Sequence, residues 1–446
     1  MPSSSSITII GAGLAGSLLA CYLGRRGIRV DVFERRPDPR VHGFLGGRSI
    51  NLALSARGIA ALEHAGLAGR VLADAIPMRA RMMHGVDASL TRQPYSKNPT
   101  DAINSVSRGG LNITLIEAAA ACAHVTLHFG QRCIDLDLDR PAATFEDEST
   151  GAVRTVAADV IIGADGAFSA VRARLQKNIG FDYSQSFLAH GYKELVIPPT
   201  PEGEFAIEPE VLHIWPRGGL MMIALPNKDR SFTCTCFWPN DLLESLRTPD
   251  QILDYFRTHF ADAVPIMPTL VEDYQANPIG ALVTVRCAPW HVGRVAVIGD
   301  AAHAVVPFYG QGMNAAFEDC LELDRCIDAC TRDGVIDWSA TLARLTERRV
   351  AHADAIADMA LDNFVEMRDH TASTAFLIRK KGETLLHRFL PGWYRPLYYM
   401  ISFTTIPYAD ARALARRQGR LVRNALVAAL VLAAALVIGL VWILRR

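Results

Sequence analysis

Residues 7–34 leave few choices of fold. An apolar strand ends at Ile10, the turn Gly11-Ala12-Gly13-Leu14-Ala15-Gly16 follows, a helical run reaches Arg26, and a second strand from Arg29 to Phe33 ends on Glu34. Strand, glycine turn, helix, strand and terminal acid in that order make a dinucleotide-binding βαβ unit. Gly11 permits the tight turn, Gly13 lets a pyrophosphate approach bare backbone, and Gly16 lets helix and strand pack closely. Glu34 is placed to accept hydrogen bonds from an adenosine ribose. Arg35 and Arg36 stand next to it, with Arg35 expected to contact the cofactor, yet the Glu34 carboxylate would repel a ribose 2′-phosphate, so the unit reads as a site for FAD or NAD rather than NADP.

Two further segments repeat the strand-then-turn pattern. Residues 294–314, RVAVIGDAAHAVVPFYGQGMN, give a short apolar strand, a turn at Gly299-Asp300 and a glycine-rich loop opening a helix. Asp300 can bind sugar-like hydroxyls there. After Pro307, the run Gly310-Gln311-Gly312-Met313-Asn314 brings backbone N–H groups to a helix N-terminus, where partial positive charge favours electron-rich groups. Residues 158–166, ADVIIGADG, are another buried strand ending in a turn at Asp165, which is expected to join the cofactor site, with Ser169 a candidate cap for the helix to Leu175.

The three fingerprints GAGLAG (11–16), GADG (163–166) and GDAAH (299–303), in this order over about 320 residues, resemble those of the class A flavoprotein aromatic hydroxylases. The resemblance implies an α/β fold: a Rossmann-type FAD-binding domain interleaved with a β-sheet substrate domain, one bound FAD, and no separate nicotinamide domain. It also implies that Arg108, opening the helix RGGLNITLIEAAA, lies near the flavin phosphates or ring, and that Asp300 holds the ribityl or pyrophosphate region. Gly109-Gly110 follow Arg108 where relatives commonly carry charge, which leaves the contacts there open.

The match narrows at residues 47–55 (GRSINLALS), 78–84 (MRARMMH), 93–95 (QPY), 190–195 (HGYKEL), 307–314 (PFYGQGMN), 360–367 (ALDNFVEM) and 396–398 (PLY), which resemble segments of the kynurenine 3-monooxygenase family. That resemblance implies L-kynurenine as substrate, NADPH as reductant from a transient surface site, and O2 added to the flavin as a C4a-hydroperoxide that delivers OH to the ring. Carried across by position, Arg81 and Tyr95 would bind the substrate carboxylate, with Asn363 and Tyr398 closing the pocket. Without the family match Arg81 reads as a solvated strand residue, and Tyr95, Asn363 and Tyr398 as packing or surface residues. His303 reads as a structural imidazole beside its turn. No Ser/His/Asp set is evident, and the aromatic amine of such a substrate activates its own ring, so no phenol-activating base is required. A membrane quinone or isoprenoid hydroxylase of the same fold is the alternative.

Composition limits the remaining possibilities. Lys plus Arg equals Asp plus Glu at 46 each, so a nucleic-acid partner is not expected. The nine cysteines are scattered without CxxC spacing and read as reduced, mostly buried thiols; no metal site is expected. The N-terminus passes from a serine stretch into the first strand, so no cleavable signal is expected. Residues 425–444, ALVAALVLAAALVIGLVWIL, carry no charge and as a helix would extend roughly 30 Å, the thickness of a bilayer core. Arginines 412, 416, 417, 420 and 423 precede this span and two follow, so the body is expected on the cytoplasmic side of a single-pass anchor.

The expected organisation is a first FAD part (1–185), a β-rich substrate part (186–285), a second FAD part (286–335), a helical region (336–420) and the anchor (421–446). Within the β-rich part, Phe232, Cys234, Cys236 and Trp238 alternate as one face of a half-buried strand. Thr248-Pro249-Asp250-Gln251 reads as a capping box opening a helix.

Overall fold

A computed structural model describes residues 5–43, 51–96, 98–366, 382, 386, 389–390 and 392–445. Residues 47–50 of the GRSINLALS segment and Met367 lie outside them.

The first layer is a six-stranded sheet ordered His291–Val292, Val295–Val297, Val160–Gly163, Ser6–Ile10, Arg29–Glu34, Val125–Phe129. All its pairings are parallel except the two-residue edge strand. Its central strands are apolar without alternation because helices cover both faces of a parallel sheet: Ile7, Ile9, Val160, Ile161, Ile162, Val295 and Val297 are all buried. The register sets Ile9 beside both Ile162 and Val32, so the Gly11, Gly163 and Gly299 turns emerge together at one edge.

The second layer is a seven-stranded sheet ordered Gly280–Ala288, Asp182–Ile197, Phe232–Pro239, Met221–Pro226, Val211–Pro216, Ala80–His84, Leu90–Pro94. Two expectations change here. The Ala80–His84 and Leu90–Pro94 strands pair into this sheet, so the first 185 residues already contribute to the β-rich part. The Phe232–Pro239 strand is buried from Phe232 to Trp238, on both faces and not one. Its even-numbered apolar residues pack with Trp215, Phe256 and Phe260 under the helices, while Phe237 packs on the opposite face with Phe308 and Phe364. A central strand of a sheet covered on both sides has no solvent face, and Thr233 and Thr235 are buried with the rest.

Local signals held where the sequence offered stereochemistry. The helix Pro249–His259 has the full Thr248/Gln251 capping box. Ser169 caps Ala170–Leu175, accepting from the Arg172 N–H at 2.9 Å. Three antiparallel strands occupy residues 131–157. All nine cysteines are free, six of them buried. The helices Gly312–Ala329 and Trp338–Val365 return the chain to the first layer, and one unbroken helix, Tyr408–Leu444, closes it. That helix is long and apolar enough to cross a membrane, and its apolar window is fully exposed, which a core helix would not be.

A dinucleotide cleft joined to an arginine and tyrosine pocket

The glycine turn is built by contact. Gly11 has φ +105°, and a Cβ there would stand 2.5 Å from the Ala164 carbonyl oxygen; a Cβ on Gly16 would stand 1.9 Å from the Gly11 carbonyl oxygen. Gly13 differs, since a Cβ there would meet nothing within 4 Å: it faces open space. That space belongs to a cleft lined by Gly13, Glu34, Arg36, Arg108, Asn112 and Phe129 among others. The Glu34 carboxylate accepts from the N–H of Ala12 and of Arg36, both at 2.9 Å, and each oxygen keeps a second lone pair for a ligand hydroxyl. A bare-backbone turn at a helix N-terminus, an acid at the end of the second strand and an arginine across the gap fit the adenosine diphosphate part of FAD. Arg36 lines this cleft, whereas Arg35, the expected contact, is exposed away from it.

Arg108 opens the helix Arg108–Ala120, whose Ser107 cap accepts from the Gly110 N–H at 3.2 Å. It also senses the second sheet. Burial raises the Glu194 carboxyl to about 7 against the opposing charge of Arg108, so the arginine reaches the field of a glutamate on the second sheet. The sequence carried no signal for Glu194 beyond the HGYKEL match.

Asp165 serves the fold. Its carboxylate accepts from the Ser169 hydroxyl at 2.5 Å and from the Ala170 and Val171 N–H at 2.7 and 3.3 Å, anchoring the helix after the GADG turn. Asp300 is exposed at the tip of its turn, with Gly299 at φ +58°. His303 is structural, as expected: buried, stacked on Trp290 and 2.5 Å from Asp319. Pro307 starts a short 3-10 turn, Gly310 adopts φ +64°, and Gln311 precedes the helix containing Gly312, Met313 and Asn314 without a side-chain cap. Asn314 fixes this loop, donating to the Ala53 and Gly310 carbonyls at 2.8 and 2.9 Å and accepting from the Ser55 N–H at 2.9 Å.

Beyond the loop, Arg81, Tyr95 and Tyr398 come together. The Arg81 guanidinium lies 4.2 Å from the Tyr398 ring centre and 5.4 Å from that of Tyr95, and the two rings stack at 5.7 Å. Arg81 Nε and the Tyr95 hydroxyl are both shut away from solvent without a hydrogen-bond partner. Tyr309 of the loop stacks on Tyr398 at 5.8 Å, which joins this pocket to the loop at 307–314. The Asn363 side-chain amide donates to the Phe308 carbonyl at 2.7 Å, so it braces the loop.

Comparison with known proteins agrees with this architecture. The profile of the family described as FAD binding domain matches residues 4–360. The chain is 46% identical to a kynurenine 3-monooxygenase of Myxococcus xanthus over 407 residues, covering 90% of this chain and 87% of the relative. It is 46% identical to that of Dictyostelium discoideum (92% and 90% covered) and 41% identical to that of Sus scrofa (95% and 89%). Among solved structures it is similar in fold to 2-methyl-3-hydroxypyridine-5-carboxylic acid oxygenase, with TM-score 0.67 at 19% identity over 84% of this chain and 95% of that one. A probable FAD-dependent monooxygenase of Pseudomonas aeruginosa gives TM-score 0.67 at 21% identity over 84% and 99%.

Proposed function

The chain belongs to the kynurenine 3-monooxygenase family and carries its FAD binding domain, and from that membership we propose the reaction: hydroxylation of L-kynurenine to 3-hydroxykynurenine with NADPH and O2. FAD, when bound, supplies the activation of oxygen. The residues of this chain then have four tasks: to hold the dinucleotide, orient the substrate, keep water out and brace the loop at 307–314.

The observation that carries the substrate reading is the pair of orphaned donors. A buried guanidinium N–H and phenol O–H without acceptors are costly unless a ligand supplies one. A carboxylate does so, and a charge-assisted bond to it contributes on the order of 1.5–3 kcal/mol. In this reading Arg81 and Tyr95 take the amino-acid carboxylate, Tyr398 closes over it, and the aniline ring extends toward the loop between Ile223, Phe237 and Phe308. Such walls exclude water, and the substrate's own amino group makes the neighbouring ring carbon electron-rich. A quinone or isoprenoid substrate would leave the Arg81 and Tyr95 donors orphaned, which disfavours that alternative.

Glu34, Arg36, Arg108 and the backbone at Gly13 would hold the adenosine diphosphate, and the first turn at Gly312-Met313 would face the flavin ring. The membrane reading is also ours: residues 425–444 cross a bilayer and the five preceding arginines keep the catalytic body on the cytoplasmic side. Purified protein loaded with FAD and given NADPH, O2 and kynurenine is expected to yield a product heavier by one oxygen. NADPH consumption unaffected by kynurenine, with no hydroxylated product, rejects the proposal.

A further inference from the structure

The helix Tyr408–Leu444 has two unlike ends. Its apolar window is exposed, whereas Tyr408 is wholly buried. An anchor needs no buried tyrosine at its base, and this one donates its hydroxyl to Gln311 Oε1 at 2.9 Å, inside the loop at 307–314. Gln311 is 2% exposed, and its other side-chain neighbour is Ser55. Ser55 Oγ stands 3.4 Å from Gln311 Oε1 and 3.3 Å from Gln311 Nε2. A hydroxyl can donate or accept, so at near-equal distances Ser55 does not decide which way the carboxamide points. Tyr408 adds the shorter contact, its hydroxyl at 2.9 Å from the carboxamide oxygen, and so ties the Gln311 side chain to the base of the helix.

Tyr408 is itself fixed. The Arg57 guanidinium lies 3.9 Å from its ring centre, donates to the Ile406 carbonyl and pairs with Glu318 at 2.8 Å. Glu318 continues to Arg349 at 2.7 Å, and Arg349 to Asp319 at 2.7 Å. Asp319 accepts the Gly299 N–H at 2.9 Å. A second route leaves the helix one turn on: Arg412 pairs with Asp358 and, at 3.5 Å, with Asp362, on the helix whose Asn363 holds the Phe308 carbonyl. Both halves of the loop are thus tied to the base of the apolar helix.

We propose that Tyr408 is a positioning residue for the flavin: through Gln311 it sets the loop at 307–314, so the base of the C-terminal helix, and not its apolar span, shapes the active site. The proposal rests on reading that loop as the flavin's.

The test uses the full chain in detergent with FAD bound. Tyr408→Phe keeps the ring under Arg57 and removes one hydrogen bond. Expected are about threefold to tenfold faster hydrogen exchange at the loop amides, an altered visible circular dichroism of the flavin, and more hydrogen peroxide per NADPH with little change in the KM for kynurenine. Gln311→Met should reproduce these effects, and the double variant should be no worse than either single, since both act through one bond. Unchanged loop exchange in Tyr408→Phe, or additive effects in the double variant, overturns the tyrosine's role while leaving the flavin-loop reading intact. A loosened loop with unaltered flavin dichroism overturns that reading, and the proposal with it.

Discussion

Arg81 and Glu194 are single side chains whose surroundings set their chemistry. Replacing Arg81 by alanine removes a partner for a carboxylate and touches no dinucleotide contact. Arg81→Ala is therefore expected to raise the KM for kynurenine about tenfold or more with FAD still bound, as steady-state kinetics and flavin absorbance would report. An unchanged KM would refute the substrate role. Glu194 makes a prediction in pH. Its carboxyl is raised from 4.5 to about 7 by burial, against the pull of Arg108. Between those values the folded form holds a proton that the unfolded chain has released, so stability falls as pH rises through the window. Glu194→Gln is expected to raise Tm by about a degree or two above pH 7 and to change it little near pH 4; a melt series across pH checks the sign.

At the scale of elements, the glycines of the first turn divide by what surrounds them. Gly16 has no room, because an added Cβ would collide with the Gly11 backbone, whereas Gly13 has room that a phosphate would use. Gly16→Ala should accumulate as insoluble or poorly folded protein. Gly13→Ala should fold with a normal melt yet bind FAD more weakly by about tenfold, seen by titration of the apoprotein with FAD. Equal FAD affinity in Gly13→Ala would place the dinucleotide elsewhere. The Thr248 box and the Ser169 cap show why such elements were legible: each is decided by residues three or four positions apart, through hydrogen bonds that the sequence spacing guarantees. The Phe232–Pro239 strand was misjudged for the complementary reason. Its period-two pattern is local, but whether its second face meets water depends on Phe308 and Phe364, well downstream.

On the scale of the whole molecule, the C-terminal helix joins a buried base at Tyr408 to an exposed apolar span. A chain ending after Arg423 loses the apolar span but keeps Tyr408, Arg412 and Gln418, whose amide donates to the Trp393 carbonyl at 3.0 Å. Such a chain is expected to leave the membrane fraction on sedimentation while still binding FAD; persistent tight membrane association would show that another surface anchors it. By itself the sequence determined the βαβ unit, the three turns, the helix caps and the bilayer-length span, since steric fit, short-range hydrogen bonding and length act between near neighbours. Only the tertiary structure decided that Arg57 and Arg349 pair with Glu318 and Asp319 beside Tyr408, that Asn363 braces the loop, and that Arg81 and Tyr95 converge without acceptors. Burying a charge or a donor calls for a partner, and here that partner lies 31 residues away for Arg349, 261 away for Arg57, or would come with a bound substrate for Arg81 and Tyr95.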